Sequence, residues 1–347
     1  AAENSNGKLI SFDSDGFTFN GSGSSNVNGQ DFVAWCWKAN GGTTSSNTDG
    51  TITSTVQVNN KAGFSIINYT GNLTAGATVG HGLGSTPELI IFKPLVGAAG
   101  WKVYSNQLSD PANKVLSLQD SHAELAINAF NGTLPNSSVI TLAAYGDTNR
   151  TSSIIAYAFK SVAEYSKFGS YTGNGSTTGP IINTGFEPAF VMFKRTDSAD
   201  NWILLDNKRS TSNPRINALF PNLDGVELTS GFSTDFLTNG FQLKTSDNSM
   251  NSNGGTYIYI AFAADPSTAP VLADSFATAL YAGTGLAQTI SSAGFKPSFL
   301  WNKQTDGTFS NIIHDTLNQP NLLITNSNGA LITNGSNTAT FTDYGFS

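Results

Sequence analysis

The sequence predicts an all-β protein made of tandem antiparallel β-sandwich repeats of about 100 residues, lectin- or jelly-roll-like in layout. Three observations predict it. Landmark motifs return at a spacing of about 105 residues. The strongest apolar segments are short, rich in β-branched and aromatic residues, and bounded by turn residues. Few windows sustain a helical period, the best being Asp120 to Ala129, which predicts one short helix.

The first landmark is an aromatic turn, Tyr69-Thr70-Gly71-Asn72, returning as Tyr171-Thr172-Gly173-Asn174 and Tyr281-Ala282-Gly283-Thr284. The second is a Gly-x-x-Pro step into an apolar strand that ends on lysine. It runs Gly84 to Lys93 through Pro87, Gly185 to Lys194 through Pro188, and Gly294 to Lys303 through Pro297. The third is Phe-x-x-x-Gly-Phe, at Phe12 to Phe17, Phe236 to Phe241 and Phe341 to Phe346, with Asp-Gly or Asn-Gly hairpin signals in the first two. An alanine-aromatic strand closes each unit: Ala34-Trp35-Cys36-Trp37, Ala156-Tyr157-Ala158-Phe159, Ala261-Phe262-Ala263.

These landmarks divide the chain into five stretches. Residues 1–38 read as the end of a preceding repeat, and 39–60 as a flexible Gly/Ser/Thr linker. Residues 61–165 and 166–268 read as complete repeats, and 269–347 as the first part of another. The expectation is a fragment of a longer array, with both ends open. The alternative is that the N-terminal strands complete the C-terminal unit, in the same chain or a neighbour, which would duplicate the Phe-x-x-x-Gly-Phe hairpin. The 161–168 and 264–275 junctions are short, predicting units held more rigidly than across 39–60.

Composition narrows the function classes. The net charge is −7, and 17 Lys and Arg are scattered over 347 residues, whereas phosphate binding needs them clustered; a nucleic-acid partner is excluded. No apolar run reaches the roughly 18–20 residues that span a bilayer, so membrane insertion is not expected. Cys36 has no partner cysteine and reads as a small buried hydrophobe.

Chemistry common to all units would place like residues at equivalent positions. His81 aligns with Ile182 and Ser291, His122 with Gly225 and Asn328, and His314 with Leu205 and Tyr104, so no shared triad or metal site is expected. Asp13 and Asp15 read as turn caps, and Asp235 with Asp247 is a weak carboxylate pair. The recurring Lys93, Lys194 and Lys303 read as stems covering a core edge, their ammonium groups in water or on a carboxylate; a repeated ligand contact is the sharper alternative. Trp101, Trp202 and Trp301 are either core or a glycan-stacking surface. No catalytic, cofactor-binding or metal-binding residue and no cofactor is assigned, and the ligand-binding residues are left open.

Longer signatures add a resemblance. They are Ser11 to Thr18 followed by Asp31 to Ala39, Ala75 to Gly84, and Tyr165 to Gly175 followed by Thr184 to Val191. Together they resemble a domain of unknown function repeated in structural and tail-fibre-like proteins of phages, many of them marine cyanophages. The third unit departs from the pattern at Ala282, Thr284 and Asn302. The resemblance implies a virion location, repeated domains and a lectin-like sandwich. With no chemistry shared between units, the expectation is a non-enzymatic structural component of a phage virion, a tail fibre or other exposed fibre on the extracellular virion surface that contributes to host attachment, over an enzyme that degrades host capsule. Other virion subunits, further copies of the chain and a host surface glycan are the expected partners. The alternative is a carbohydrate-binding adhesin module that recognises host glycans directly.

Overall fold

The computed structural model describes residues 8–21, 23–40, 42–263, 276–319, 321–332, 341–342 and 345–346. It is nearly all β, in several antiparallel sheets. Three sheets dominate, and one strand order runs through all of them: an outer strand, the alanine-aromatic strand, the lysine-ended strand, and a fourth. In the first sheet these are Phe64–Thr70, Ser153–Phe159, Leu89–Pro94 and Lys102–Ser105. In the second they are Ser166–Thr172, Thr256–Ala263, Pro188–Arg195 and Ile203–Asp206. In the third they are Phe276–Ala282, Asp31–Trp37, Phe299–Gln304 and Ile312–Asp315.

The third sheet answers the question of the N-terminal strands. Asp31–Trp37 lies between two strands from the far end of the chain, pairing Trp35 with Thr278 on one side and Trp301 on the other. The expected arrangement, in which residues 1–38 close a preceding repeat, is therefore not the one observed. The hairpin Lys8–Phe12 and Phe17–Asn20 joins Gln288–Ile290, as Thr234–Leu237 and Gly240–Leu243 join Ile181–Asn183. The duplicated hairpin exists: Phe341–Thr342 pairs with Gly345–Phe346 and, among the described residues, with nothing else.

Residues 39–60 are not a plain linker. Ser45–Asn47 and Ser54–Asn59 add two strands to the outer edge of the first sheet. Serine and threonine suit an exposed strand face as well as a loop, so composition hid the period-two signal of Ile52, Ser54, Val56 and Val58. Residues 120–129 form no helix: Leu125–Ala126 is a short strand, and Leu125, Ile127 and Ala129 pack on the first sheet's outer core. Among the described residues the helices are single turns, Gly146–Asn149 and Asn248–Asn251. The junction at 264–275 lies outside the described residues.

Each large sheet is buried on both faces, which explains unbroken apolar runs such as Ser153–Phe159. One face packs on a private core that includes Phe92, Phe130 and Ile154 in the first unit, Phe193, Phe241 and Tyr259 in the second, and Phe17, Phe19 and Phe32 in the third. The opposite faces of all three meet in one common core. There Trp37, Phe159 and Phe262, one from each alanine-aromatic strand, touch mutually at centroid distances of 6.4, 5.4 and 6.2 Å.

Candidate functional site

The recurring motif residues converge at two places, the aromatic turns and the seams between sheets. At each turn a fully buried asparagine holds the loop. Asn149 Oδ1 accepts the Asn72 N–H at 2.9 Å, Asn251 Oδ1 accepts the Asn174 N–H at 2.8 Å, and Asn26 Oδ1 accepts the Thr284 N–H at 2.9 Å. Their Nδ2 groups donate to loop carbonyls including Thr74, Ser176 and Leu286. Each tyrosine hydroxyl donates to the carbonyl just before that asparagine, at Thr148, Met250 and Ser25. A Cβ on Gly71, Gly173 or Gly283 would lie 2.4, 2.3 or 2.0 Å from a backbone oxygen of the same segment, so glycine is required there. Asn26 thus does from the N-terminus what Asn149 and Asn251 do from within their own units. Asn26→Ala should cost about 1–3 kcal/mol, as should Asn251→Ala, because each strands buried loop groups; urea unfolding of both variants checks it.

Sequence reasoning missed these asparagines. The signal was available: Asn26 and Asn251 each stand five residues before an alanine-aromatic strand, and Asn149 four.

The recurring lysines are buried, contrary to the expectation of ammonium groups in water or on a carboxylate. Lys93 Nζ donates to the Ala99 carbonyl at 2.7 Å and lies 5.5 Å from the Trp101 ring. Lys194 Nζ donates to the carbonyls of Arg195, Asp200 and Ser121, and Lys303 Nζ to those of Phe309, Gly307 and Asp224. Ser121 and Asp224 belong to the neighbouring unit, whose chain closes over the ammonium and blocks its way to water.

Burial lowers all three lysines to about 8. An unfolded lysine keeps its proton to 10.5, so between about 8 and 10.5 the unfolded chain binds more protons and stability rises with pH. The rise should be on the order of 2 kcal/mol per lysine by pH 10. Above pH 10 it reverses, because burial raises tyrosines such as Tyr69 and Tyr171 and the unfolded chain then releases protons first. Lys194→Met should remove about a third of the rise and cost more at pH 9.5 than at pH 7. Urea titrations at the two pH values measure it.

The position twelve residues after each lysine holds Ser105, Asp206 and Asp315, all buried. Each caps the turn after its strand: Ser105 Oγ accepts the Gln107 N–H, Asp206 Oδ1 those of Lys208 and Arg209, Asp315 Oδ1 those of Leu317 and Asn318. The two aspartates also reach the next sheet. Asp206 Oδ2 accepts from Trp35 Nε1 at 3.2 Å and Arg209 Nε at 2.6 Å, and Asp315 Oδ2 from the Tyr157 hydroxyl at 2.6 Å. Burial raises both the Asp315 carboxyl and the Tyr157 hydroxyl.

The tryptophans are interior, so none forms a glycan-stacking surface. Trp101 Nε1 donates to the Ile324 carbonyl and Trp202 Nε1 to that of Ser117, each across a seam. Asn311 stands at the same place in the third unit and donates to the Phe220 and Leu223 carbonyls. Trp301 packs in the common core.

The other singled-out residues lie apart. His81 bonds Asn136 and Leu83, His122 lies 2.7 Å from Asp120 at the surface, and His314 is buried against Phe19 and lowered to about 4. Asp13 accepts from Thr18 on the strand after its turn, Asp235 faces Lys244 at 3.7 Å, and Asp247 caps Asn248–Asn251. Cys36 is buried and its thiol is pushed up by burial. Among the described residues, no group of three or more His, Cys, Asp or Glu could hold a metal ion, and no helix is long and apolar enough to cross a membrane.

Searches of curated proteins and of solved structures find no match. A family model described as a domain of unknown function (DUF7483) matches residues 1–266 and 272–347. Those stretches cover nearly the whole chain, which therefore belongs to the DUF7483 family of domains of unknown function.

Proposed function

We propose that this protein is a non-enzymatic structural component of a phage virion, part of a tail fibre or other exposed fibre, contributing to host attachment. In this reading each large sheet with its small partner sheet is one β-sandwich, and three copies close around a common core. One observation carries it: the recurring polar side chains are engaged in holding the architecture together. The lysines hold carbonyls, the asparagines hold turns, and Trp101, Trp202 and Asn311 tie seams. Resemblance to tail-fibre-like proteins supports the location. An antibody raised against the purified chain should decorate phage particles in electron micrographs and block their adsorption to host cells. Particles left bare, with adsorption unaffected, would refute the proposal.

The second reading, direct recognition of a host glycan, is favoured by a groove at one seam, where the third sheet meets the second unit.

A further inference from the structure

The three seams share a frame but not a surface. At each, the carbonyl two residues beyond the buried lysine accepts an N–H from the neighbouring unit: Leu331 to Leu95, Glu124 to Thr196, Glu227 to Thr305. On the outer strand beside it, the residues corresponding by register are Asn68, Ser170 and Leu280. Asn68 Oδ1 accepts from Ser153 Oγ, and Ser170 Oγ donates to Gln107 of the adjoining unit. Leu280 stands 46% exposed. Two residues on, Thr70 and Thr172 correspond to Ala282; Ser153 and Thr256 correspond to Asp31. Where the second unit closes the position with a 2.7 Å contact between the hydroxyls of Thr196 and Thr256, the third leaves a groove of about 400 Å³.

That groove has an apolar floor and an acceptor-rich wall. Leu280 and Ala282 form the floor. Glu227 and Asp31 supply carboxylates from opposite units, and Arg209 is fixed between Asp206 and Glu227 with its side chain only 2% exposed. Glu227 also accepts from Asn217, so its position is set before anything binds. The Asp31 N–H donates to Asp306 Oδ2, which sets a further carboxylate beside Asp31. Of the charged groups that line the groove, Asp31 and Glu227 are carboxylates and Arg209 is the cation, and the buried Asp206 already shares Arg209 with Glu227.

We infer that this groove binds one non-acidic hexose unit of a surface glycan, the apolar ring face on Leu280 and Ala282 and the hydroxyls donating to Glu227 and Asp31. The volume falls in the range of small-ligand sites, roughly 300–1,000 Å³, and apolar contact with a few fixed polar groups is their usual make-up. The excess of carboxylate over the one shared arginine repels uronic and sialic acids, and placing a further anion beside Asp31 is costly. This inference rests on the attachment reading and names the ligand class. The two fail separately, because virion labelling does not depend on sugar binding.

Saturation-transfer NMR on the full chain tests it, with the methyl glycosides of glucose, galactose and mannose and with glucuronic acid as probes. At least one neutral glycoside should bind, and glucuronic acid about tenfold more weakly or not at all. Leu280→Asn with Asp31→Ser places in the groove the residues the first sheet carries at the same positions, Asn68 and Ser153, so the fold should tolerate them. The double variant should lose about tenfold or more in affinity. Leu280→Gln alone, as a second variant, should weaken binding in the same direction. No signal from any neutral glycoside, equal binding of glucuronic acid, or unchanged affinity in a folded double variant would each overturn the inference.

Discussion

Trp37→Ala should destabilise the whole chain by about 3–5 kcal/mol, the cost of emptying a large aromatic site in a packed core. Trp37 comes from an N-terminal strand, yet its ring lies 4.9–6.4 Å from the rings of Phe276, Phe299, Phe262, Phe190 and Phe159. Those five phenyl groups come from all three large sheets, so one cavity weakens every sheet's inner face. Urea unfolding followed by far-UV circular dichroism and by tryptophan fluorescence should show coincident transitions shifted together. If the sheets were independent domains, a shifted phase would split from an unshifted one. Trp37→Phe is the control. Phe159 and Phe262 hold the matching places, and among the described residues the buried Trp37 Nε1 has no hydrogen-bond partner, so this change should cost under about 1.5 kcal/mol.

Asp206→Ala should cost about 3–5 kcal/mol, because it takes one of two carboxylates from the buried Arg209 and strands the buried Trp35 and turn N–H groups that Asp206 accepts from. Asp206 and Arg209 are buried, 2.6 Å apart, and the same carboxylate accepts from Trp35 of the third sheet and from two backbone N–H groups. Arg209 keeps Glu227, which bounds the loss. Asp206→Ser should cost less, since Ser105 caps the equivalent turn in the first sheet with its hydroxyl. Chemical denaturation of the alanine and serine variants should rank them in that order; equal losses would mean that the turn cap contributes nothing.

Much of this architecture was legible because the same residues meet the same physical need more than once. The alanine-aromatic strands alternate small and large because one face meets a private core and the other the common core, as Ala156 and Tyr157 show. The lysine positions were legible, but their surroundings were not. Local sequence cannot show that a neighbouring unit's chain at Ser121 or Asp224 will cover the ammonium. The closing role of Asp31–Trp37 was similarly hidden. Its partners begin with Phe276, paired with Trp37 across nearly the whole chain, and pairing at that distance leaves no local pattern. Residues 45–59 were misread because hydroxyl-rich composition serves loops and exposed strands alike. The groove at Leu280 was illegible for a further reason. It is defined by a departure from the shared pattern, and only the register of the three sheets reveals which residues correspond.

The central claim is that the N-terminal strand completes the third sheet within its own chain. Cys36 is the chain's one cysteine and sits directly opposite Ala277 on the neighbouring strand. In Ala277→Cys, mild oxidation should therefore link Cys36 to the new thiol inside one molecule. Non-reducing electrophoresis should show a monomer of altered mobility, and peptide mapping a single intrachain crosslink. Because Cys36 is buried, the oxidation is run through refolding from urea; disulfide-linked dimers or longer ladders in place of the intrachain link would mean that the strand is supplied by another copy and would contradict the claim.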